Sequence, residues 1–69
     1  MEKHLSTYWP DNKSGRAEVW VNYKDEQFFI KYFDENNKMF FTEDFPNKSM
    51  RYVEDAAENW ALGIKEIAI

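Results

Sequence analysis

The chain has 69 residues, a formal net charge of −4, no cysteine and an aromatic content of 19%. This length predicts a single domain over residues 1–69, and the lack of cysteine excludes disulfides and thiolate metal sites and favours a cytoplasmic location. The acidic balance argues against general binding to nucleic-acid backbones, which needs clustered lysine and arginine, and no apolar run approaches the roughly 18 residues of a membrane span.

Four stretches have the alternating apolar and polar pattern of strands: residues 3–9, 16–23, 27–33 and 39–44. The first pattern is weak, so these residues fit either a strand or an irregular segment. Turn-forming residues separate the stretches, and Pro46 ends the fourth because proline cannot donate a hydrogen bond to a sheet. Ser49 then supplies a helix N-cap. This order predicts an α+β fold, a small antiparallel meander of three to four strands followed by one C-terminal helix packed across one face.

The predicted helix is amphipathic. At about 100° per residue, one broad apolar stripe contains Val53, Ala56, Ala57, Trp60, Ala61, Ile64 and Ile67. Trp60 supplies bulk at the middle of this stripe, so it is predicted to be the central core residue. Gly63 leaves two alternatives open: it interrupts a helix that continues to about residue 67, or it caps the helix and residues 64–69 leave extended. Leu62 points away from the stripe, which suggests contact with a partner.

The strand pattern also predicts which residues pair. If the second hairpin closes on Asp25 and Glu26, three apolar pairs result: Tyr23–Phe28, Val21–Ile30 and Val19–Tyr32. A slip of one residue sets Val19 against Lys31, so the pattern favours this register. The apolar face expected beneath the helix therefore includes these paired residues together with Ala17, Met39 and Phe41.

The opposite sheet face carries large aromatic residues where a two-layer domain usually has polar ones. They are Trp20, Phe29, Phe33 and Phe40, with Asn22, Lys31 and Thr42 among them. Three interpretations compete: sheet-on-sheet packing in a homo-oligomer or cover by the N-terminal segment, docking on a different protein, and stacking of single-stranded nucleic acid on the rings. The net negative charge disfavours nucleic acid. We therefore predict an interface, most simply between identical copies, made by Trp20, Phe29, Lys31, Phe33, Phe40 and Leu62.

Residues with catalytic potential are few. His4 is the only histidine and lies near the N-terminus, where a solvated side chain is expected. Asp25, Glu26, Glu43 and Asp44 are expected at one end of the meander, but their spacing matches no calcium loop, and exposed turn acids are the simpler interpretation. The sequence predicts no catalytic residue, no cofactor site and no metal site, and hence a protein that is not an enzyme.

One segment resembles a known group of proteins. Residues 50–64, MRYVEDAAENWALGI, are similar to the C-terminal segment of small uncharacterised proteins of T4-like cyanophages and related marine viruses. The resemblance covers only about the last third of the chain and depends on the run from Arg51 to Trp60. It implies a viral origin, the cytoplasm of an infected bacterium as the location, and a host or viral protein as an alternative partner, but no activity.

A looser resemblance is to sheet-then-helix DNA-binding domains of the integrase-arm type. Those domains read DNA with a basic sheet face, whereas this chain has Lys31 there among the four aromatic residues. The resemblance therefore supports the topology and not the function. The function predicted is that of a small non-catalytic interaction protein that self-associates through its aromatic sheet face, with single-stranded nucleic-acid binding on the same face as the alternative.

Overall fold

The computed structural model describes residues 1–11 and 13–64, which form a sheet and a helix. The strands are β1 (Glu2–Tyr8), β2 (Arg16–Asn22), β3 (Gln27–Phe33) and β4 (Met39–Phe45), and the helix is α1 (Met50–Ala61). The strands form one antiparallel sheet in the order β1-β2-β3-β4, with α1 packed on one face. The predicted α+β fold is confirmed, and the weak pattern at residues 3–9 corresponds to a strand.

The core lies between α1 and one face of the sheet. The helix packs chiefly on β1, β2 and β3. Tyr32 is the largest fully buried side chain, and its ring meets the Trp60 indole edge-on, with ring centroids 5.2 Å apart. Trp60 is therefore in the core, as the helical stripe predicted. The other buried members of this cluster are Ala17, Val19, Ile30, Phe45, Val53 and Ala57.

The hairpin between β2 and β3 has a different register from the predicted one. The observed pairs are Val21–Phe28, Val19–Ile30 and Ala17–Tyr32, which is an offset of two residues. The turn begins at Tyr23, because Asn22 accepts a hydrogen bond from the Lys24 amide and Asp25 accepts one from the Gln27 amide. Side chains alternate with a period of two, so the offset leaves β2 and β3 residues on their predicted faces. Tyr23, however, lies exposed in the turn and outside the core.

A β-bulge near the start of β4 changes two face assignments. Tyr32 pairs with Phe41, but the next residue, Phe33, pairs with Met39, so Phe40 is the extra residue. The Phe40 and Phe41 rings both lie beside Tyr32, with centroids 6.4 and 5.9 Å from it. The placement of Phe40 on the face opposite the helix was therefore wrong, and Met39 lies there opposite Phe33. The bulge reverses the alternation that the prediction extended through this strand.

Both ends of α1 are capped. The Ser49 hydroxyl accepts a hydrogen bond from the Tyr52 amide, which confirms the predicted N-cap. Gly63 has a φ of 82°, and the amides of Gly63 and Ile64 donate to the carbonyls of Trp60 and Asn59, so the helix ends in a Schellman motif. Ile64 lies exposed beyond the helix, and Ile67 is outside the described residues. No helix in residues 1–11 and 13–64 is long and apolar enough to cross a membrane.

Replacing Trp60 with alanine should lower the free energy of unfolding by about 3–5 kcal/mol, because the change empties a site packed against Tyr32. In a domain of this size that loss approaches the total stability. Denaturant unfolding monitored by circular dichroism measures it. Arg51→Ala is the matched control, since Arg51 is exposed on the same helix and should cost less than about 0.5 kcal/mol. Equal stability of the two variants would place Trp60 outside the core.

Candidate interaction surfaces

The sheet face opposite α1 brings together four of the six residues predicted to form an interface. Trp20, Phe29, Lys31 and Phe33 are neighbours on β2 and β3, and we call this surface the aromatic face. Phe40 is directed toward Tyr32 by the β4 bulge, and Leu62 is the exposed C-cap residue of α1. Neither of these two belongs to the aromatic face. The six residues predicted to form one interface therefore do not lie on one surface.

Trp20 is surrounded by side chains of three strands. The Lys31 ammonium lies 3.9 Å from the Trp20 ring centroid and 5.7 Å from that of Phe29, and it pairs with Glu2 at 3.4 Å. Lys31 reaches Trp20 as a diagonal neighbour, because the residue directly opposite Trp20 is Phe29. The His4 ring stacks on Trp20 with centroids 5.2 Å apart. His4 is thus exposed but held against the sheet, which its terminal position in the sequence did not indicate.

Glu18 and Arg16 form a polar centre beside these rings. The buried Glu18 carboxylate accepts hydrogen bonds from Arg16 Nε at 2.8 Å and from Trp20 Nε1 at 2.9 Å. Burial on its own raises the pKa of Glu18, but these two hydrogen bonds and the Arg16 charge outweigh it, so the pKa lies below its usual range. The Arg16 guanidinium lies 4.0 Å from the Phe33 ring centroid and 5.9 Å from that of Trp9.

Gly15 permits the close approach of Arg16 to Phe33. It has a φ of 99°, and a Cβ atom at this position would lie 2.2 Å from the Phe33 carbonyl oxygen. Any larger residue would push the start of β2 away from the end of β3. The turn glycine therefore positions the guanidinium over the ring.

The aromatic face is consequently covered by its own polar side chains. Phe29 is buried, and Trp20 and Phe33 are only partly exposed. Cations over aromatic rings contribute about 0.5–2 kcal/mol each, depending on how far they are removed from water. The expectation that these rings need a partner to exclude water assumed a bare face, and the contacts of Lys31, Arg16 and His4 remove that assumption.

The exposed apolar residues of the sheet lie instead on β4. Met39 is 49% exposed, and Phe40 and Phe41 are each 36% exposed. For Phe40 and Phe41, which lie beside Tyr32 on the helix side, the cause is geometric: a helix is about 10 Å wide with its side chains, whereas four strands about 4.8 Å apart span about 14 Å between the outer strand axes. A groove of about 430 Å³ separates β4 from α1 and is lined by Glu43, Phe45, Tyr52, Asp55, Ala56 and Asn59.

The acidic residues expected at one end of the meander are divided between the two faces. Asp25 and Asp44 both line a cavity of about 320 Å³ beside the β2–β3 turn. Glu43 is on the other face, where it accepts a hydrogen bond from the Tyr32 hydroxyl at 3.1 Å. Burial, followed by the Glu43 charge, raises the pKa of Tyr32. The described part of the chain contains no group of three or more His, Cys, Asp or Glu residues that could hold a metal ion.

In comparisons with known proteins, no family model, no curated protein and no solved structure matches this chain. The resemblance of residues 50–64 to cyanophage proteins therefore stays a prediction.

Glu18→Gln should lower the free energy of unfolding at pH 7 by about 1–3 kcal/mol, because the charged hydrogen bonds from Arg16 and Trp20 are weakened. The folded-state pKa of Glu18 is depressed, so its stabilisation is complete above the unfolded-state pKa of about 4.3 and is lost as the pH falls through the folded-state value. The difference between variant and wild type should therefore shrink in acid. Glu35→Gln, at an exposed turn position, is the control and should change the free energy of unfolding at pH 7 by less than about 0.5 kcal/mol.

Proposed function

We propose that the protein is a small non-catalytic interaction module that associates with a second copy of itself. The observation that carries the proposal is the run of Met39, Phe40 and Phe41, three consecutive large apolar residues of β4 that are exposed. Exposed large apolar side chains that follow one another along a strand favour contact with another chain. We define Met39–Phe45 and the adjoining groove as the β4 surface.

A second copy is the partner that fits this chain best. A domain of 69 residues without disulfides has a small core, and association adds burial that the monomer lacks. A two-fold axis makes one surface complementary to itself, so no second gene product is required. The β4 surface is preferred to the aromatic face because Lys31 and Arg16 already lie over the aromatic rings there.

Binding of single-stranded nucleic acid to the aromatic face is the second candidate. Two observations favour it: Trp9 is 67% exposed, and the Arg16 guanidinium lies 5.9 Å from the Trp9 ring centroid and 4.0 Å from that of Phe33. A base could stack on such a ring while a cation meets the phosphate. Two contacts oppose it, since Glu18 pairs with Arg16 and Glu2 pairs with Lys31. The net charge of −4 also disfavours it.

The resemblance of residues 50–64 supports a setting for this function. We propose that the protein is viral and acts in the cytoplasm of an infected bacterium. A host or viral protein that binds the same exposed residues is the alternative to a second copy. The proposed activity is binding only, with no catalysed reaction.

Sedimentation of the wild type over a wide concentration range, at low and high salt, tests the proposal. We expect a reversible dimer that holds or tightens at high salt, because apolar contacts are not screened. The double variant Phe40→Ser, Phe41→Ser should shift toward monomer. Trp9→Ser is the control, since it removes an even more exposed ring from elsewhere on the molecule and should leave the dimer unchanged.

Two outcomes would contradict the proposal. If the wild type stays monomeric at the highest concentration, the protein does not self-associate and the proposal is wrong. Binding of a fluorescent oligonucleotide that weakens as salt rises, and that is lost in Trp9→Ser but retained in the Phe40, Phe41 variant, favours the nucleic-acid candidate instead.

A further inference from the structure

We infer that the cavity beside the β2–β3 turn binds a small organic cation, a primary ammonium group carried on a short apolar body. Such binding is a function additional to the proposed self-association and independent of it. Three features of the structure point to this ligand: the residues that line the cavity, the hydrogen bonds that hold its rim, and a carboxylate that those hydrogen bonds leave available.

The cavity combines an apolar wall with carboxylates and side-chain amides. Its volume is about 320 Å³, at the lower end of the range for small-molecule sites. The residues that line it are Asn22, Asp25, Gln27, Phe28, Phe29, Asp44, Phe45 and Pro46. Two of these lining residues are acidic and none is basic, so the cavity favours a positively charged ligand and repels an anion.

Phe29 and Asp44 place an aromatic ring beside a carboxylate. They are directly opposed residues of β3 and β4, so their side chains share the sheet face opposite α1. Phe29 is buried, whereas Asp44 is exposed. The Lys31 ammonium lies 5.7 Å from the Phe29 ring centroid but pairs with Glu2. A cation in the cavity can therefore contact the Phe29 ring while its N–H groups donate to Asp44.

Hydrogen bonds of the turn fix the rest of the rim. The Asp25 carboxylate accepts a hydrogen bond from the Gln27 amide at 3.1 Å, and the Gln27 side-chain amide donates to the Asp25 carbonyl at 3.3 Å. The Gln27 side-chain carbonyl accepts from the Asn47 amide at 2.8 Å, which ties the turn to the segment after β4. The rim is thus held in place before a ligand arrives, and preorganisation of this kind lowers the cost of binding.

The Asp44 carboxylate is the group that a ligand can neutralise. Within the part of the chain that the structure describes, it has no hydrogen bond and no ion pair. The groove between β4 and α1 differs in this respect, because its Glu43 carboxylate already accepts a hydrogen bond from the Tyr32 hydroxyl. The cavity beside the turn is therefore the better cation site of the two.

An organic cation suits this cavity better than a metal ion does. Calcium takes about six to eight oxygen ligands, and magnesium requires a near-octahedral set. Residues 1–11 and 13–64 contain no group of three or more His, Cys, Asp or Glu residues that could hold a metal ion. An ammonium group has only three N–H donors, which two carboxylates can accept, and its hydrocarbon body can cover the apolar wall.

Titration of isotope-labelled protein with benzylammonium, followed through the backbone amide chemical shifts, tests the inference. We expect saturable shifts centred on residues 25–29 and 44–46, with a dissociation constant on the order of 1 mM for a ligand of this size. Benzyl alcohol lacks the charge and phenylacetate reverses it, so both should bind at least about tenfold more weakly. Equal binding of benzyl alcohol would overturn the cation site, and shifts confined to other residues would overturn its location.

Two isosteric variants test the carboxylates. Asp44→Asn should raise the dissociation constant of benzylammonium about fivefold, because a charge-assisted hydrogen bond is lost. Asp25→Asn should raise it less, and it keeps the oxygen that accepts from the Gln27 amide. Asp11→Asn is the matched control, since it makes the same charge change at an exposed position between β1 and β2 and should leave the affinity unchanged. Wild-type affinity in both Asp44→Asn and Asp25→Asn would contradict the site.

A second probe distinguishes the source of the ammonium group. Nα-acetyl-lysine methylamide presents the group as a protein side chain does. Tighter binding of this probe than of benzylammonium assigns the cavity to a lysine side chain of a partner protein, and weaker binding assigns it to a free amine. If neither probe binds, the inference is wrong. Sedimentation measures self-association separately, so this failure would leave the proposed function standing.

Discussion

The width of a single helix is the constraint on which the rest of this structure depends. α1 packs chiefly on β1, β2 and β3, and it reaches β4 at Phe45, whose ring meets that of Tyr52 edge-on. One helix is too narrow to cover the full width of four strands. The buried cluster around Tyr32 and Trp60 is consequently off-centre. The exposure of Phe40 and Phe41 follows from that offset.

The aromatic face and β4 differ in how far their apolar side chains are shielded from water. On the aromatic face, Lys31 and Arg16 lie along the rings, and their charges are balanced by Glu2 and Glu18. Long cationic side chains cover apolar surface with their methylene groups while the charged ends remain hydrated. On β4 no cation is available within the strand. Cationic side chains thus cover the rings of the aromatic face, whereas Phe40 and Phe41 of β4 are left partly exposed.

Much of the fold was predictable from local pattern, and the misses have specific physical causes. Alternation predicts the sheet face of a strand residue, but two registers that differ by two residues give the same faces. The predicted pairing partner of Val19 was therefore Tyr32, whereas the observed partner is Ile30. The bulge that moves Phe40 has no signature in composition or spacing. Trp20 is covered by Lys31, its diagonal neighbour on β3, and by His4 of β1. These contacts join residues of different strands, so the order of residues along the chain does not predict them. The sequence left two alternatives for Gly63, an interruption within the helix or a cap at its C-terminus. The positive φ of Gly63 shows that it caps the helix.

The strand order has a consequence for how the chain reaches this structure. Each strand pairs with its neighbour in sequence, so the sheet can grow by short hairpin closures of low contact order, which favours rapid folding. The element that shields Ala17 and Val19, however, comes after the sheet in the chain. During synthesis on the ribosome, the hairpins therefore precede their cover, and the nascent sheet presents its core face to the surroundings until α1 emerges. The interval before docking is the period in which this small protein is most exposed to chaperones and to misassembly.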